Sequence, residues 1–292
     1  MANALPTADT LADPADPVVR KIGVADLRDA LARGYDDFMA TPTQLVLLGV
    51  IYPLVGLVAG RAASGGDLLP LFYPLVAGLS LMGPVAAVGI YELSRRRERG
   101  LEVSWLNAFD VLRSPSLPSI AGLGVMLGVI FLAWLAAAQL VYRATMGSAP
   151  PASVGDFLQR VLTTPEGWSL ILVGNAVGFL FALLVLTLTV VSVPLLLDRQ
   201  VGLRVAVRTS VRAVLANPVT MALWGLIVAA VLFIGCLPLF VGLAVAMPVL
   251  GHATWHLYRK VVEAPRLVPD RPQAGPAGQP SGRRRPAASG PP

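Results

Sequence analysis

GWSLILVGNAVGFLFALLVLTLTVVSVPLLL, residues 167–197, runs for 31 residues without Asp, Glu, Lys or Arg. An α-helix that crosses the hydrocarbon core of a bilayer needs about 20 mostly apolar residues. Four further stretches lack charge over 23, 24, 29 and 46 residues, namely residues 38–60, 68–91, 114–142 and 213–258. The chain is therefore predicted to be all-α and to form a polytopic membrane helical bundle.

The amino-acid composition supports the same class. Of the 292 residues, 55% are hydrophobic and only 14% are charged, whereas soluble domains carry about 25% charged residues. This balance excludes a soluble enzyme and a soluble nucleic-acid-binding domain. The single cysteine, Cys236, excludes an internal disulfide framework.

Six transmembrane helices are predicted. The 46-residue stretch is long enough for two spans, and Pro238 near its middle lacks the backbone N–H that a continuing helix would use. The predicted spans are residues 43–61, 69–91, 118–142, 168–196, 218–235 and 238–258.

The basic residues alternate between the two sides of these spans. Twenty of the 23 Lys and Arg residues fall in the N-terminal segment, the loops after spans 2 and 4, and the C-terminal tail. Because positively charged loops stay in the cytoplasm, both termini are expected there. The same rule explains the net charge of +6, so no nucleic-acid partner is expected.

The membrane domain is expected to cover residues 21–263, between disordered segments at residues 1–20 and 264–292. Short amphipathic helices are predicted before spans 1, 3 and 5, lying in the membrane interface with their apolar side in lipid. Their apolar residues recur at helical spacing: Leu27, Leu31, Tyr35 and Phe38; Trp105, Phe109 and Leu112; and Leu203, Val207, Val211 and Val214.

Arg204, Arg208 and Arg212 recur every four residues on the third amphipathic segment and form a basic stripe. Guanidinium groups at headgroup depth are suited to anionic phospholipid phosphates. The alternative is that these arginines only fix the topology.

The two histidines, His252 and His256, lie four residues apart at the cytoplasmic end of span 6. This spacing puts both rings on one helix face, where they could bind a metal ion. The alternative is an aromatic belt at the membrane interface, formed with Trp255 and Tyr258 and hydrogen-bonded to neighbouring loops.

The predicted spans contain no charged side chain in their interior, which disfavours a proton-driven transport mechanism. Asn175 is expected to form a hydrogen bond across a helix contact. A water-filled cavity lined by Asn175, Thr187 and Ser192 would instead favour a transporter or permease for a small neutral or amphipathic solute. Glu92 and Asp198, at span ends, are expected to cap helices or to pair with nearby arginines.

Three segments resemble the bacterial integral membrane proteins grouped as domain-of-unknown-function family 2189: PLLLDR at residues 194–199, NPVTMALWG at 217–225 and GHATWHLYR at 251–259. The resemblance covers about residues 20–263, and the histidine segment is its most distinctive part. It implies a multi-span protein of the bacterial inner membrane and assigns no activity to any residue.

The leading functional hypothesis is a non-enzymatic membrane component that contacts lipid, a membrane-protein partner or another copy of itself. No phosphate-binding loop, nucleophile elbow or cysteine-pair metal site is present, so neither an enzyme nor a cofactor is expected. The alternatives are the transporter described above and a metal-binding or redox membrane protein that uses His252 and His256.

Overall fold

A computed structural model describes residues 17–40, 54, 69–81, 83–149, 151–238 and 240–264. The described chain is helical, and the one β-bridge within it pairs Val19 with Val262. The predicted span at residues 43–61 lies outside the described residues except for Leu54. Residues 1–16 and 265–292 of the predicted tails also lie outside them.

The α-helices are α1 (Val24–Ala40), α2 (Phe72–Leu81), α3 (Gly83–Ala86), α4 (Val88–Glu98), α5 (Leu117–Met146), α6 (Val154–Thr163), α7 (Pro165–Thr189), α8 (Ser192–Asp198), α9 (Leu203–Ala216), α10 (Pro218–Cys236) and α11 (Leu243–Val261). Two 3₁₀-helices cover Leu69–Leu71 and Trp105–Arg113. The all-helical fold class is thus confirmed over the described residues.

Three segments are long and apolar enough to cross a membrane: Leu117–Met146, Pro165–Asp198 and Pro218–Cys236. Their outer surfaces expose large apolar side chains, as lipid-facing helices do. Val125, Leu172 and Leu226 are 66–70% exposed. The six-span count is not confirmed. Span 1 lies outside the described residues except for Leu54, span 2 is divided into short helices around Gly83 and Pro84, and α11 of span 6 is not among the three segments.

The four arginine-rich segments meet at one end of the bundle, here called the basic end (residues 17–40, 92–116, 192–217 and 250–264). The backbone N–H of Arg20 donates to Val261, Asn217 donates to the carbonyl of Arg20 at 3.0 Å, and Arg95 donates to the carbonyl of Leu197 at 2.8 Å. The predicted alternation of basic loops therefore agrees with the path of the described chain.

The core of the basic end is built around the turn from α7 into α8. Every residue from Thr189 to Leu197 is buried, and this stretch contains only apolar, hydroxyl and proline residues. Trp224, Trp255 and Tyr258 are also at most 1% exposed and belong to the same end of the molecule. A continuous apolar run of this kind is typical of a segment packed on all sides.

The amphipathic helices differ from one another in what covers their apolar side. In α1, Leu27 and Phe38 are 1% and 5% exposed and pack within the protein, whereas Tyr35 is 53% exposed, so only part of the apolar side expected to face lipid is exposed. The apolar side of α9 likewise packs on the core, through Leu203 and Val207. By contrast, Phe109 and Leu112 of the 3₁₀-helix are 51% and 65% exposed, as expected for contact with lipid.

Helix α1 approaches α11 very closely at Gly34. A Cβ atom at this position would lie 2.5 Å from the backbone nitrogen of Ala253 and 2.7 Å from its Cβ. No side chain fits between the helices there, and the backbone of Ala253 cannot move aside alone. Glycine is therefore required for this crossing.

We expect Gly34→Ala to lower the free energy of unfolding by about 1–3 kcal/mol, because the added methyl forces two packed helices apart. The measurement is reversible unfolding in mixed detergent micelles. The matched control is Gly128→Ala in α5, where nothing lies within 4 Å of the added Cβ. Equal effects of the two substitutions would contradict the close approach.

Candidate functional site

The two histidines meet a carboxylate from the opposite end of the sequence. His256 donates from Nε2 to Oδ2 of Asp37 at 2.8 Å, since a carboxylate can only accept. Nδ1 of His252 lies 3.7 Å from the same oxygen. Asp37 is on α1 and both histidines are on α11, so the close packing of these helices at Gly34 brings the three side chains together.

Ser94 of α4 completes the group and brings in a third helix. Its hydroxyl donates to Oδ2 of Asp37 at 2.9 Å, and its oxygen lies 2.6 Å from Nδ1 of His252. Because the hydroxyl has one proton and Asp37 accepts it, Nδ1 of His252 must carry the proton that it donates to Ser94. The order of donation is therefore from His252 to Ser94 to Asp37.

The charge of Asp37 is compensated at its other oxygen. Nε of Arg97 lies 3.1 Å from Oδ1 of Asp37. Burial alone raises the pKa of Asp37, but the hydrogen bond from His256, the electrostatic interactions with the two histidines and the bond from Ser94 outweigh it, so this pKa lies below its ordinary value. Asp37 is thus a buried carboxylate that the surrounding donors keep ionised.

Nε2 of His252 is the atom of this group without a hydrogen-bond partner among the described residues. The imidazole is 2% exposed, and with Nδ1 protonated its Nε2 carries a lone pair. Nε2 of His256 is already occupied by Asp37. Within the described ranges, no group of three or more His, Cys, Asp or Glu side chains is placed to hold a metal ion, and the metal role of the histidine pair stays a prediction.

The aromatic residues beside the histidines are buried in protein. Trp255 is fully buried and donates from its ring nitrogen to Glu98 at 3.1 Å. Tyr258 is 1% exposed and donates to Asp198 at 2.7 Å. The predicted hydrogen bonds of these aromatic side chains are therefore present, but the partners are carboxylates of packed helices and the side chains do not form an exposed belt.

The carboxylates at the span ends pair with arginines, as predicted. Glu92 lies 2.6 Å from Arg95. Asp198 accepts from Arg259 at 3.2 Å and lies 3.7 Å from Arg99. These pairs join α4, α8 and α11 at the basic end.

The basic stripe lies on the outer face of α9. Arg204, Arg208 and Arg212 are all exposed, whereas Ala206 and Ala213 on the opposite face are completely buried. The stripe thus lies on α9, whereas the histidine group lies where α1, α4 and α11 meet.

The polar residues of the spans serve helix contacts and helix backbones. Tyr73 of α2 donates to Asn175 of α7 at 3.0 Å, which confirms the predicted bond across a helix contact. Thr187 donates to the carbonyl of its own helix four residues earlier, at 2.7 Å, and Ser192 makes a bond of the same kind. A cavity of about 410 Å³ lies at the basic end, and Asn175, Thr187 and Ser192 are not among the residues that line it.

Sequence reasoning missed Asp37, Ser94 and Arg97. A weak signal was present for Asp37, because it follows Ala30 and Gly34 at helical spacing on the face that packs against α11. Small residues on a helix face indicate close packing, so an acidic residue that continues this face is expected to be buried and to need a partner.

A family model described as predicted integral membrane protein of unknown function (domain of unknown function 2189) matches residues 72–198. The resemblance to this family is confirmed. The family segment contains Ser94, Arg97 and Asp198, whereas Asp37 and the histidines lie outside it. No curated protein and no solved structure matches the chain.

We expect Asp37→Asn to lower the free energy of unfolding by roughly 3 kcal/mol, because it removes one partner of a buried ionic group. The control is Asp36→Asn, which changes an exposed neighbour on the same helix. Unfolding in mixed micelles at neutral pH measures both. A loss no larger for Asp37→Asn than for Asp36→Asn would rule out the role of Asp37 as the acceptor that joins three helices.

The stability of the protein should also depend on Asp37 at acidic pH. The folded-state pKa of this carboxyl lies below the ordinary value of 3.8, so its contribution is complete above that value and is lost as the pH falls through the folded-state pKa. The test measures melting temperatures between about pH 6 and about pH 3, a window that spans the ordinary pKa values of carboxyl groups. As the pH falls, the melting temperature should decrease less steeply for Asp37→Asn than for the unchanged protein. Parallel curves would show that Asp37 does not titrate with folding.

Proposed function

We propose that this protein is a non-enzymatic component of the bacterial inner membrane that holds anionic phospholipid at its cytoplasmic face through the basic stripe. In this proposal six spans cross the membrane and both termini are cytoplasmic. The family match to predicted integral membrane proteins supports the membrane location. The apolar surfaces of α5, α7 and α10 supply the contact with lipid chains.

The observation that carries the proposal is the division of α9 into two faces. Thr209 and Ser210 are at most 1% exposed and belong to its packed face, while the three arginines of the stripe are exposed at four-residue spacing. The packed face fixes the helix, and the stripe is then presented as one row. Guanidinium groups form paired hydrogen bonds with phosphate oxygens, so such a row suits phospholipid headgroups.

The meeting of the arginine-rich segments at the basic end supports the proposed orientation. Positive charge on one side of a helical membrane protein favours retention of that side in the cytoplasm. The opposite end carries Arg143 and Arg160 among the described residues, so the difference in charge between the ends is large.

The burial of Ser94 supports a non-enzymatic role. Ser94, His252 and Asp37 combine a hydroxyl, an imidazole and a carboxylate, but Ser94 is 1% exposed and its proton is donated to Asp37. A nucleophile must reach its substrate and be activated by a base. The group is better suited to joining helices than to catalysis.

The orientation predicts which sites a membrane-impermeant maleimide can label. On a Cys236→Ser background, Ser148→Cys should be labelled from outside intact spheroplasts, and Glu102→Cys only after the membrane is opened. Both positions are exposed, at opposite ends of the bundle. Labelling of Glu102→Cys in intact spheroplasts would reverse the orientation.

The stripe predicts selective retention of anionic lipid. The test uses nanodiscs of mixed phosphatidylglycerol and phosphatidylcholine, and native mass spectrometry measures the lipid retained by the protein. The triple substitution Arg204→Gln, Arg208→Gln and Arg212→Gln should reduce the retained phosphatidylglycerol by about tenfold or more, because each basic residue near an anionic surface contributes about 1 kcal/mol.

The matched control for the stripe is the double substitution Arg143→Gln and Arg160→Gln at the opposite end of the bundle. Maleimide labelling checks that the topology is unchanged in both variants. If the triple variant retains phosphatidylglycerol as well as the control does, the stripe serves topology alone.

A further inference from the structure

The cavity of about 410 Å³ at the basic end lies between α4, the 3₁₀-helix, the start of α5 and the end of α8. Its lining is polar and contains four guanidinium groups and three carboxylates. The lining side chains that matter for its chemistry are Arg95, Arg99, Arg113, Arg199, Ser114 and Ser116.

The three carboxylates of the lining already have cationic partners. Glu92 and Asp198 pair with arginines as described above, and Asp110 lies 3.3 Å from Arg96 and accepts from Asn107 at 2.9 Å. Within the lining itself, four guanidiniums face three carboxylates. The surplus charge is positive.

Arg113 supplies part of this surplus. It is exposed and lines the cavity, and among the described residues it has no acidic partner. A guanidinium group has five N–H donors arranged for carboxylate or phosphate oxygens. Arg113 is therefore available to an anion that enters the cavity.

The start of α5 adds hydrogen-bonding groups to the same wall. Ser116 is the residue before the first turn, and no side chain caps this helix end. The backbone N–H of Leu117 already donates to Ser114, and Pro118 has none, so this helix start contributes mainly the positive end of its dipole, which favours anions. This helix is 30 residues long, and the arginines described above lie beside its start.

An exposed apolar ridge adjoins the cavity on the 3₁₀-helix. Leu106, Phe109 and Leu112 are 51–65% exposed, and a second cavity on this ridge shares Asp110 and Arg113 with the first. Apolar side chains beside a basic patch are typical of a segment seated at the boundary of headgroups and acyl chains. A ridge seated at that boundary would place Arg113 at headgroup depth.

We infer that the cavity is a binding site for a phosphate group, with Arg113 as the residue that selects it. Two sources have this chemistry: the headgroup of an anionic phospholipid and a free phosphate or phosphomonoester. The site is formed by other elements than α9, so it does not depend on the basic stripe.

The test uses the full-length protein in two arms. Inorganic phosphate is titrated against the protein in a neutral detergent by calorimetry, and phosphatidylglycerol retention is compared with phosphatidylcholine retention in nanodiscs by native mass spectrometry. The variant is Arg113→Gln, because the Arg113 side chain has no recorded hydrogen bond or ion pair among the described residues. The control is Arg143→Gln at the opposite end, and Arg204→Gln on the stripe is measured separately to report on the proposed function.

A phospholipid site is supported if Arg113→Gln reduces phosphatidylglycerol retention about tenfold, the change in affinity that one charge-assisted bond is worth, and Arg143→Gln does not. A site for free phosphate is supported if phosphate binding weakens to the same extent in Arg113→Gln while phosphatidylglycerol retention stays as in the unchanged protein. The inference is overturned if neither phosphate nor phosphatidylglycerol binds, or if Arg113→Gln behaves as Arg143→Gln does. The stripe and the cavity can fail independently. Lipid retention in the stripe variants tests the stripe, and phosphate binding in the same variants tests the cavity.

Discussion

The basic end depends on the packing of α1 against α11. These helices lie near the two ends of the described chain, and their crossing at Gly34 leaves no room for a side chain. Asp37, one turn further along α1, then reaches His256 at 2.8 Å and Ser94 at 2.9 Å, so that a third helix is tied to the same point. Because a buried carboxylate is stable only when donors surround it, this group specifies how the three helices meet.

The sequence was sufficient to predict the apolar helices that face lipid, because long uncharged stretches have few alternatives to crossing a bilayer. It was less informative where a helix is packed by protein. The periodicity of α1 is the same whether its apolar side contacts lipid or another helix, and only the structure shows Leu27 buried. The division of span 2 near Gly83 and Pro84 could be expected as a kink, but its consequence for the number of spans could not.

In the candidate site, contacts between residues close in sequence were predictable, whereas the contact between residues far apart in sequence was not. The pairing of Glu92 with Arg95 was predictable, since residues three apart on a helix are neighbours. His252 and His256 could be placed on one helix face for the same reason. Their partner Asp37 lies 219 residues from His256 in sequence, and no spacing rule connects residues so far apart. The side chain that gives the histidines their role therefore had to come from the fold.

The arginines of the basic end have more than one role, although a count of positive charges treats them alike. Arg95 and Arg97 compensate Glu92 and Asp37 within the packed helices. Removing such a residue would leave a buried carboxylate unpaired, so its first effect is on folding. Arg113 and Arg204 lie on exposed surfaces, where a charge contributes little to stability and is free to act on a ligand or a lipid headgroup. The sequence thus supplies the positive charge of the basic end, and the tertiary structure decides which arginines are paired within it and which are exposed.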